Sequence, residues 1–262
     1  MNSKAKQTAL VTGASSGIGQ AIAEQFAKDG ISLVVVARNE AVLHRLAQQW
    51  QKQWSIQVTV LGADLSEAGA AQRVYDEVTQ RGIQIDYLIN NAGYGDYGQF
   101  VETSLEKNLA MMRLNMEALT VLCHRFLPGL VRRKGKILNV ASTAAFQPGP
   151  YMAVYYATKA YVLSLSEALA AELRGTGVTV TALCPGPTAS GFQDKAAMHD
   201  SALVKGRRLP SAESVAQAGF TAMQRGQRVY IPGLMNWLMA QSVRFSPRCM
   251  VTSIVQLMSR PT

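Results

Sequence analysis

The 262 residues carry 26 Lys and Arg against 17 Asp and Glu, a net charge of +9, and 48% of them are hydrophobic. That balance excludes a disordered or collagen-like chain and supplies ample material for a core. No apolar run nears the roughly 20 residues of a bilayer-crossing helix. Three scattered cysteines, Cys123, Cys184 and Cys249, have no metal-ligand spacing and form no even set of bridges, so no metal and reduced thiols in a cytoplasmic compartment are expected.

The opening "MNSKAKQTALVTGAS" has the basic start of a secretory signal, but its apolar part is about half the usual length and runs into glycines, so it reads as a first strand. In chain order, strands are expected at 8–12, 32–37, 57–62, 86–90, 135–141, 178–183 and 228–232. Helices are expected between them, at about 18–29, 40–53, 67–81, 102–132, 153–174 and 211–225. Strands apolar on both faces and joined through helices imply a parallel sheet covered on two sides. With no long linker or internal repeat, 1–232 reads as one doubly wound α/β domain, and 233–262 as a helical extension of it.

In that extension Leu234, Trp237, Leu238 and Phe245 recur near helical spacing, and beyond Pro247 so do Met250, Val251, Ile254, Val255 and Met258. Two amphipathic helices are expected, helping to close a pocket and covering the parent domain or a twofold interface. Arg244, Arg248 and Arg260 flank them, a layout that also suits acidic lipid headgroups and peripheral membrane contact. From Lys205 onward eight basic residues, Arg207, Arg208, Arg225 and Arg228 among them, meet one acid, Glu213. They are spread out and belong to no recognition motif, so nucleic acid is not the expected partner.

Three glycines, Gly13, Gly17 and Gly19, lie between the first strand and first helix. A side chain at Gly17 or Gly19 would block a bound pyrophosphate or hold the helix off the sheet, and the free N–H groups of a helix start attract phosphate. The spacing is G-x-x-x-G-x-G, and alone it is also compatible with a tight turn. Tyr155 and Lys159 stand four apart on one helix face. An ammonium beside a phenol favours the phenolate, so Tyr155 is expected below its ordinary value near 10, fit for acid–base work. Ser142 ends a strand, from which it can hydrogen-bond a carbonyl oxygen. Each has a plainer reading: a half-buried tyrosine with a solvated lysine, or a helix cap.

With "TGASSGIG" (12–19), "NNAG" (90–93), Asn115, Ser142 and "YYATK" (155–159) in order, the chain resembles the short-chain dehydrogenase/reductase family over about residues 7–232. The resemblance implies a Rossmann-like fold, seven parallel strands in the order 3-2-1-4-5-6-7 with helices on both faces, and a catalytic tetrad of Asn115, Ser142, Tyr155 and Lys159. Tyr155 is preferred over Tyr156 because only it has a lysine four residues on. In the family, Asn115 bends a helix and holds a water behind Lys159, which also holds the nicotinamide ribose.

The resemblance further implies a dinucleotide held at its phosphates by Gly13, Ser15, Ser16, Gly17, Ile18 and Gly19, and at its adenine by Asp64 and Leu65. Asn91, Ala92 and Gly93 line the middle, with Tyr155 and Lys159. Pro185, Gly186, Thr188 and Ser190 cover the nicotinamide, Ser190 standing where a threonine is common. At the end of strand two, where NAD sites place an acid, stand Arg38 and Asn39. A guanidinium there suits a 2′-phosphate, so NADP(H) is expected over NAD(H), although Ser16 stands where many NADP-preferring relatives have a second basic residue.

A pocket wall of Tyr94, Tyr97, Ala144, Phe146, Met152, Phe192 and Met198, with no fixed cation, suits a lipophilic ketone, aldehyde or secondary alcohol. The expected protein is an NADP(H)-dependent carbonyl reductase or alcohol dehydrogenase, a homodimer or monomer. A 3-oxoacyl thioester reductase is a less favoured alternative, because most such relatives end soon after strand seven. A non-catalytic NADP(H)-sensing protein commonly lacks the tyrosine or lysine. A sugar-nucleotide epimerase or dehydratase usually needs a larger C-terminal part.

Overall fold

The computed structural model describes residues 7–191 and 209–260. Seven strands, β1 (Thr8–Thr12), β2 (Ser32–Ala37), β3 (Val58–Gly62), β4 (Tyr87–Asn90), β5 (Lys136–Val140), β6 (Thr179–Leu183) and β7 (Val229–Tyr230), form one sheet in the order 3-2-1-4-5-6-7. Every pairing is parallel, with Leu10 opposite both Val34 and Leu88 in register.

Alternation along the strands divides the core into two layers. Leu10, Val34 and Leu88 face one layer, where α3 (Ala70–Gln80), α5 (Leu119–Arg133) and α6 (Ala153–Glu172) contribute Val74, Leu122 and Val162. Ala9, Val11, Leu33 and Val35 face the other, where α1 (Gly17–Lys28), α2 (Glu40–Trp54) and α7 (Ala212–Gln224) contribute Phe26, Leu43 and Phe220. The doubly wound fold thus follows from strands buried on both sides.

The one expected helix over 102–132 is divided in three. α4 (Leu105–Met112) begins at Ser104, whose hydroxyl accepts from the Lys107 N–H, and between α4 and α5 lies a π-helical turn, Arg113–Ala118, containing Asn115. After β7 come α8 (Leu234–Ser242), a 3₁₀ turn and α9 (Arg248–Ser259), as the extension's spacing predicts. The single apolar face expected of α9 splits, however. Val251 and Val255 are buried, whereas Met250 and Ile254 are exposed.

Beneath the carboxyl ends of the strands runs a buried polar chain. Asn90 Nδ2 donates to Asn139 Oδ1 (2.9 Å) and to Cys123 Sγ (3.2 Å), Asn139 Nδ2 donates to Ser166 Oγ (2.9 Å), and that hydroxyl donates to the Val162 carbonyl (2.6 Å). It ties β4 and β5 to α6 in a region otherwise apolar.

Candidate active site

β1 and β4 are neighbours whose chains leave toward opposite edges of the sheet, the arrangement that opens a crevice beyond the carboxyl ends. A cleft of about 680 Å³ occupies this place. All the expected site residues line it except Gly19 and Asn115.

The sheet side of the cleft is fixed by hydrogen bonds. The Thr12 hydroxyl accepts from the N–H groups of Asn91 and Ala92 (both 3.0 Å), and the Asn91 amide donates to the Thr12 carbonyl (2.9 Å). "NNAG" therefore latches the end of β4 to the end of β1. This latch also explains two glycines. Gly13 has φ +68°, and a Cβ there would come within 2.7 Å of the Asn91 amide nitrogen; one on Gly19 would collide with that amide and with the Gly13 carbonyl. At these two positions side chains are excluded by protein packing. Gly17, with φ +55°, faces Ser190 across the cleft.

The start of α1 fits a phosphate. Its first turn contains no acid, and Ser16 makes no side-chain cap. Arg38, exposed at the end of β2, places Nη1 3.6 Å from Asp64 Oδ2. Desolvation raises the Asp64 pKa, but hydrogen bonds from the Ser66 N–H and hydroxyl, with the Arg38 charge, outweigh it and hold the carboxyl below its ordinary value. The Asn39 side chain caps α2 by accepting from the Val42 N–H (3.1 Å). These groups fit a dinucleotide: glycine-rich backbone and a helix start for phosphates, then a guanidinium and a carboxylate at the ends of the next two strands.

The opposite wall holds Ser142, Tyr155 and Lys159. Ser142 follows β5, accepts from the Ala144 N–H (3.1 Å), and hydrogen-bonds the Tyr155 side chain, so it is a cap and a cleft residue at once. Lys159 Nζ donates to the Val140 carbonyl (2.8 Å) and lies 5.8 Å from the Tyr155 ring centroid. The expectation for the phenol is reversed. Burial raises the Tyr155 pKa and outweighs the Ser142 hydrogen bond, which lowers it; burial also lowers that of Lys159 to about 8.

Asn115 stands behind this wall. Its amide donates to the Tyr94 carbonyl and to the Thr158 hydroxyl (both 3.0 Å), its Oδ1 accepts from the Tyr94 N–H (3.2 Å), and Thr158 in turn donates to the Tyr155 carbonyl (2.7 Å). The π turn thus couples the loop after β4 to α6. In the sequence the only signal for Thr158 is its place inside "YYATK".

Of the expected substrate wall, Tyr94, Ala144 and Met152 line the cleft. Tyr97 packs beside it and donates to the Ser259 carbonyl. Phe146 is a correction: the 3₁₀ turn Thr143–Phe146 directs it against the α3/α5/α6 core layer. Phe192, Met198 and the basic Lys205, Arg207 and Arg208 lie outside the described residues. Tyr156, set aside in the sequence, also lines the cleft, and Val251 and Val255 of α9 pack in one cluster with Met152, Tyr155 and Tyr156. Among the described residues no cluster of metal-binding side chains occurs, and no helix is long and apolar enough to cross a membrane.

A crevice at the turning point of a doubly wound parallel sheet, with a glycine-rich first turn, defines a dinucleotide-binding type of α/β protein. The chain belongs to the short chain dehydrogenase family, whose model matches residues 7–200, and it is an oxidoreductase of that family. It is 31% identical over 232 residues to an uncharacterized oxidoreductase of Staphylococcus epidermidis, covering 86% of this chain and 94% of that one. It is 35% identical over 175 residues to a very-long-chain 3-oxoacyl-CoA reductase of Laccaria bicolor, covering 66% of this chain and only 52% of that protein. A short-chain dehydrogenase from Sphingobium yanoikuyae, solved in complex with NADPH, superposes with a TM-score of 0.82 at 33% identity, over 91% of this chain and 94% of that one.

Proposed function

We propose that the protein transfers hydride between NADP(H) and the carbonyl or secondary alcohol of a lipophilic small molecule, with Tyr155 as general acid and base. The observation that carries this reading is the convergence of Ser142, Tyr155 and Lys159 on one cleft, opposite a glycine-rich helix start. When bound, the nicotinamide supplies or accepts the hydride. Gly13, Ser15, Ser16, Gly17 and Ile18 would hold the phosphates, Arg38 would pair with a 2′-phosphate, and Asp64 would accept from the adenine amino group. That NADPH accompanies the Sphingobium relative supports the same choice here.

In reduction, Ser142 donates a hydrogen bond to the substrate carbonyl oxygen, which makes its carbon more electrophilic and holds the oxygen beside Tyr155. Tyr155, kept protonated at neutral pH by its buried setting, gives its proton to that oxygen as the alcohol forms. The resulting tyrosinate recovers a proton from solvent by way of Lys159, whose pKa of about 8 lets it exchange protons near neutrality. Asn115 and Thr158 position Tyr155 through its backbone carbonyl.

The Laccaria relative favours a second reading, a 3-oxoacyl thioester as substrate. NADPH and NADH oxidation by the purified protein, followed over aliphatic, aromatic and steroid ketones and a 3-oxoacyl-CoA, separates the two. Turnover of hydrophobic ketones with NADPH is expected; turnover of the thioester alone would replace the first reading with the second, and no oxidation of either cofactor with any carbonyl would count against both.

A further inference from the structure

α8 is built inside out. Its inward side is Asn236, which donates to the Pro232 carbonyl (2.7 Å), and the buried Ala240. Its solvent side carries Leu234, Met235 and Leu238 at 74%, 68% and 47% exposure. α9 carries more apolar surface than it buries: Val251 and Val255 face the protein, Ile254 and Leu257 are 53% and 66% exposed, and Ser253 and Gln256 form an exposed polar side beside them. Between the helices Phe245 stands out at 88%. A surface helix ordinarily turns charge toward water, and large apolar side chains turned outward in numbers are ordinarily covered by something. The exposed apolar side chains of this one stretch, 234–257, are therefore an interaction face.

Its charge identifies the partner. From Val229 to Ser259 the sequence has two charged residues, Arg244 and Arg248, with Arg260 next, and no acid follows Glu213. All three arginines are exposed, and among the described residues none takes part in an ion pair. A second copy docked by the same face would bring guanidiniums together with no carboxylate from either pair of helices to answer them. An anionic lipid bilayer supplies both complements, acyl chains for the apolar side chains and headgroup phosphates for the arginines.

We propose that the outward face of α8 and α9 docks on anionic membrane surfaces, the two helices lying in the interface plane. The inward valines of α9 pack behind Met152, Tyr155 and Tyr156, which line the cleft, so α9 lies between the docked face and the cleft wall. Entry of a lipophilic substrate from the bilayer rests on the functional reading above; docking itself does not.

Sedimentation of the full chain with phosphatidylcholine vesicles, with and without phosphatidylglycerol, tests this without any turnover, so its outcome is distinct from that of the reductase assay. Binding to the phosphatidylglycerol vesicles is expected, weakening severalfold with added salt. The double substitution Leu238→Glu with Ile254→Glu should reduce the bound fraction about tenfold or more, with no change in the thermal unfolding midpoint. Arg244→Gln with Arg248→Gln, which keeps the apolar area, should abolish the preference for anionic vesicles; if the glutamate variant is poorly folded, this pair decides. Absence of sedimentation with either vesicle, or undiminished binding by a folded glutamate variant, would overturn the proposal. A dimer in solution that the glutamate pair splits, in a protein that ignores vesicles, would give the face to a second copy instead.

Discussion

On the sheet side of the cleft each residue is held by a particular partner: the Thr12 hydroxyl by two N–H groups, the Asn91 amide by the Thr12 carbonyl, Asp64 by Ser66. On the α9 side Val251 and Val255 lie against Met152, Tyr155 and Tyr156 with no direction preferred. Hydrogen bonds require one residue type at one place, whereas apolar contact requires only volume. The hydrogen-bonded side is suited to a ligand whose shape is constant, and the part of the cleft that α9 backs, at Met152 and Tyr156, to one whose shape varies. Substitutions on the sheet and α6 side should therefore abolish or redirect function, and substitutions under α9 should adjust it.

The largest effect is expected at Tyr155→Phe, which keeps the ring and removes the proton. Turnover should fall by about 10²–10⁴-fold while NADPH binding, followed by fluorescence, survives. A loss below about tenfold would place the proton elsewhere. Next is Lys159→Met. The folded pKa of this lysine lies below its unfolded value, so its ammonium destabilises the fold fully at pH below about 8, and that penalty fades as pH rises toward 10.5. The variant should be the more stable at pH 7, by ~2 kcal/mol, with the gap closing by pH 10 in urea titrations; a gap that widens with pH would reverse the assignment.

Thr12→Val conserves shape and orphans the N–H groups of Asn91 and Ala92, and should cost ~2 kcal/mol in the same titration. Arg38→Asp should raise the Michaelis constant for NADPH about tenfold relative to NADH, and an unchanged ratio would mean that the 2′-phosphate is held by another group. The smallest effect belongs to the other wall. Val255→Ala should cost ~1 kcal/mol and raise the Michaelis constant for a bulky ketone a few-fold, with kcat near that of the parent. If it reduced kcat as strongly as Tyr155→Phe, the contrast between the walls would fail.

The sequence was most legible where one physical rule acts alone. Outside 102–132, strand and helix bounds fall within a few residues of expectation because alternation and helical spacing are strong in β1 to β6 and in α1 to α3, α6 and α7; β7, at two residues, is shorter than its run. The π turn at Arg113–Ala118 was not legible from spacing, because one inserted residue in a helix leaves no compositional mark. Phe146 was misplaced because the sequence does not show which way a 3₁₀ turn leaves a strand. On α9 periodicity gave a face but not its direction: with Val251 and Val255 on one side and Ile254 and Leu257 on the other, either side could have been the core. The phenol of Tyr155 was misjudged for a different reason. Adjacency to Lys159 is visible in sequence, whereas removal from water, which dominates, exists only in the fold.

The buried chain Asn90–Asn139–Ser166 sets a mechanical reference for α6. The helix meets the sheet largely through smooth apolar side chains, Val162 and Leu163 among them, which resist separation better than sliding. Ser166 bonded to Asn139 pins its height on the sheet like a dowel. Tyr155 lies about 16 Å up the helix from that pin. A slip of one residue would turn the phenol by about 100°, away from the end of β5, so the alignment of the reacting hydroxyls is set at a point remote from them.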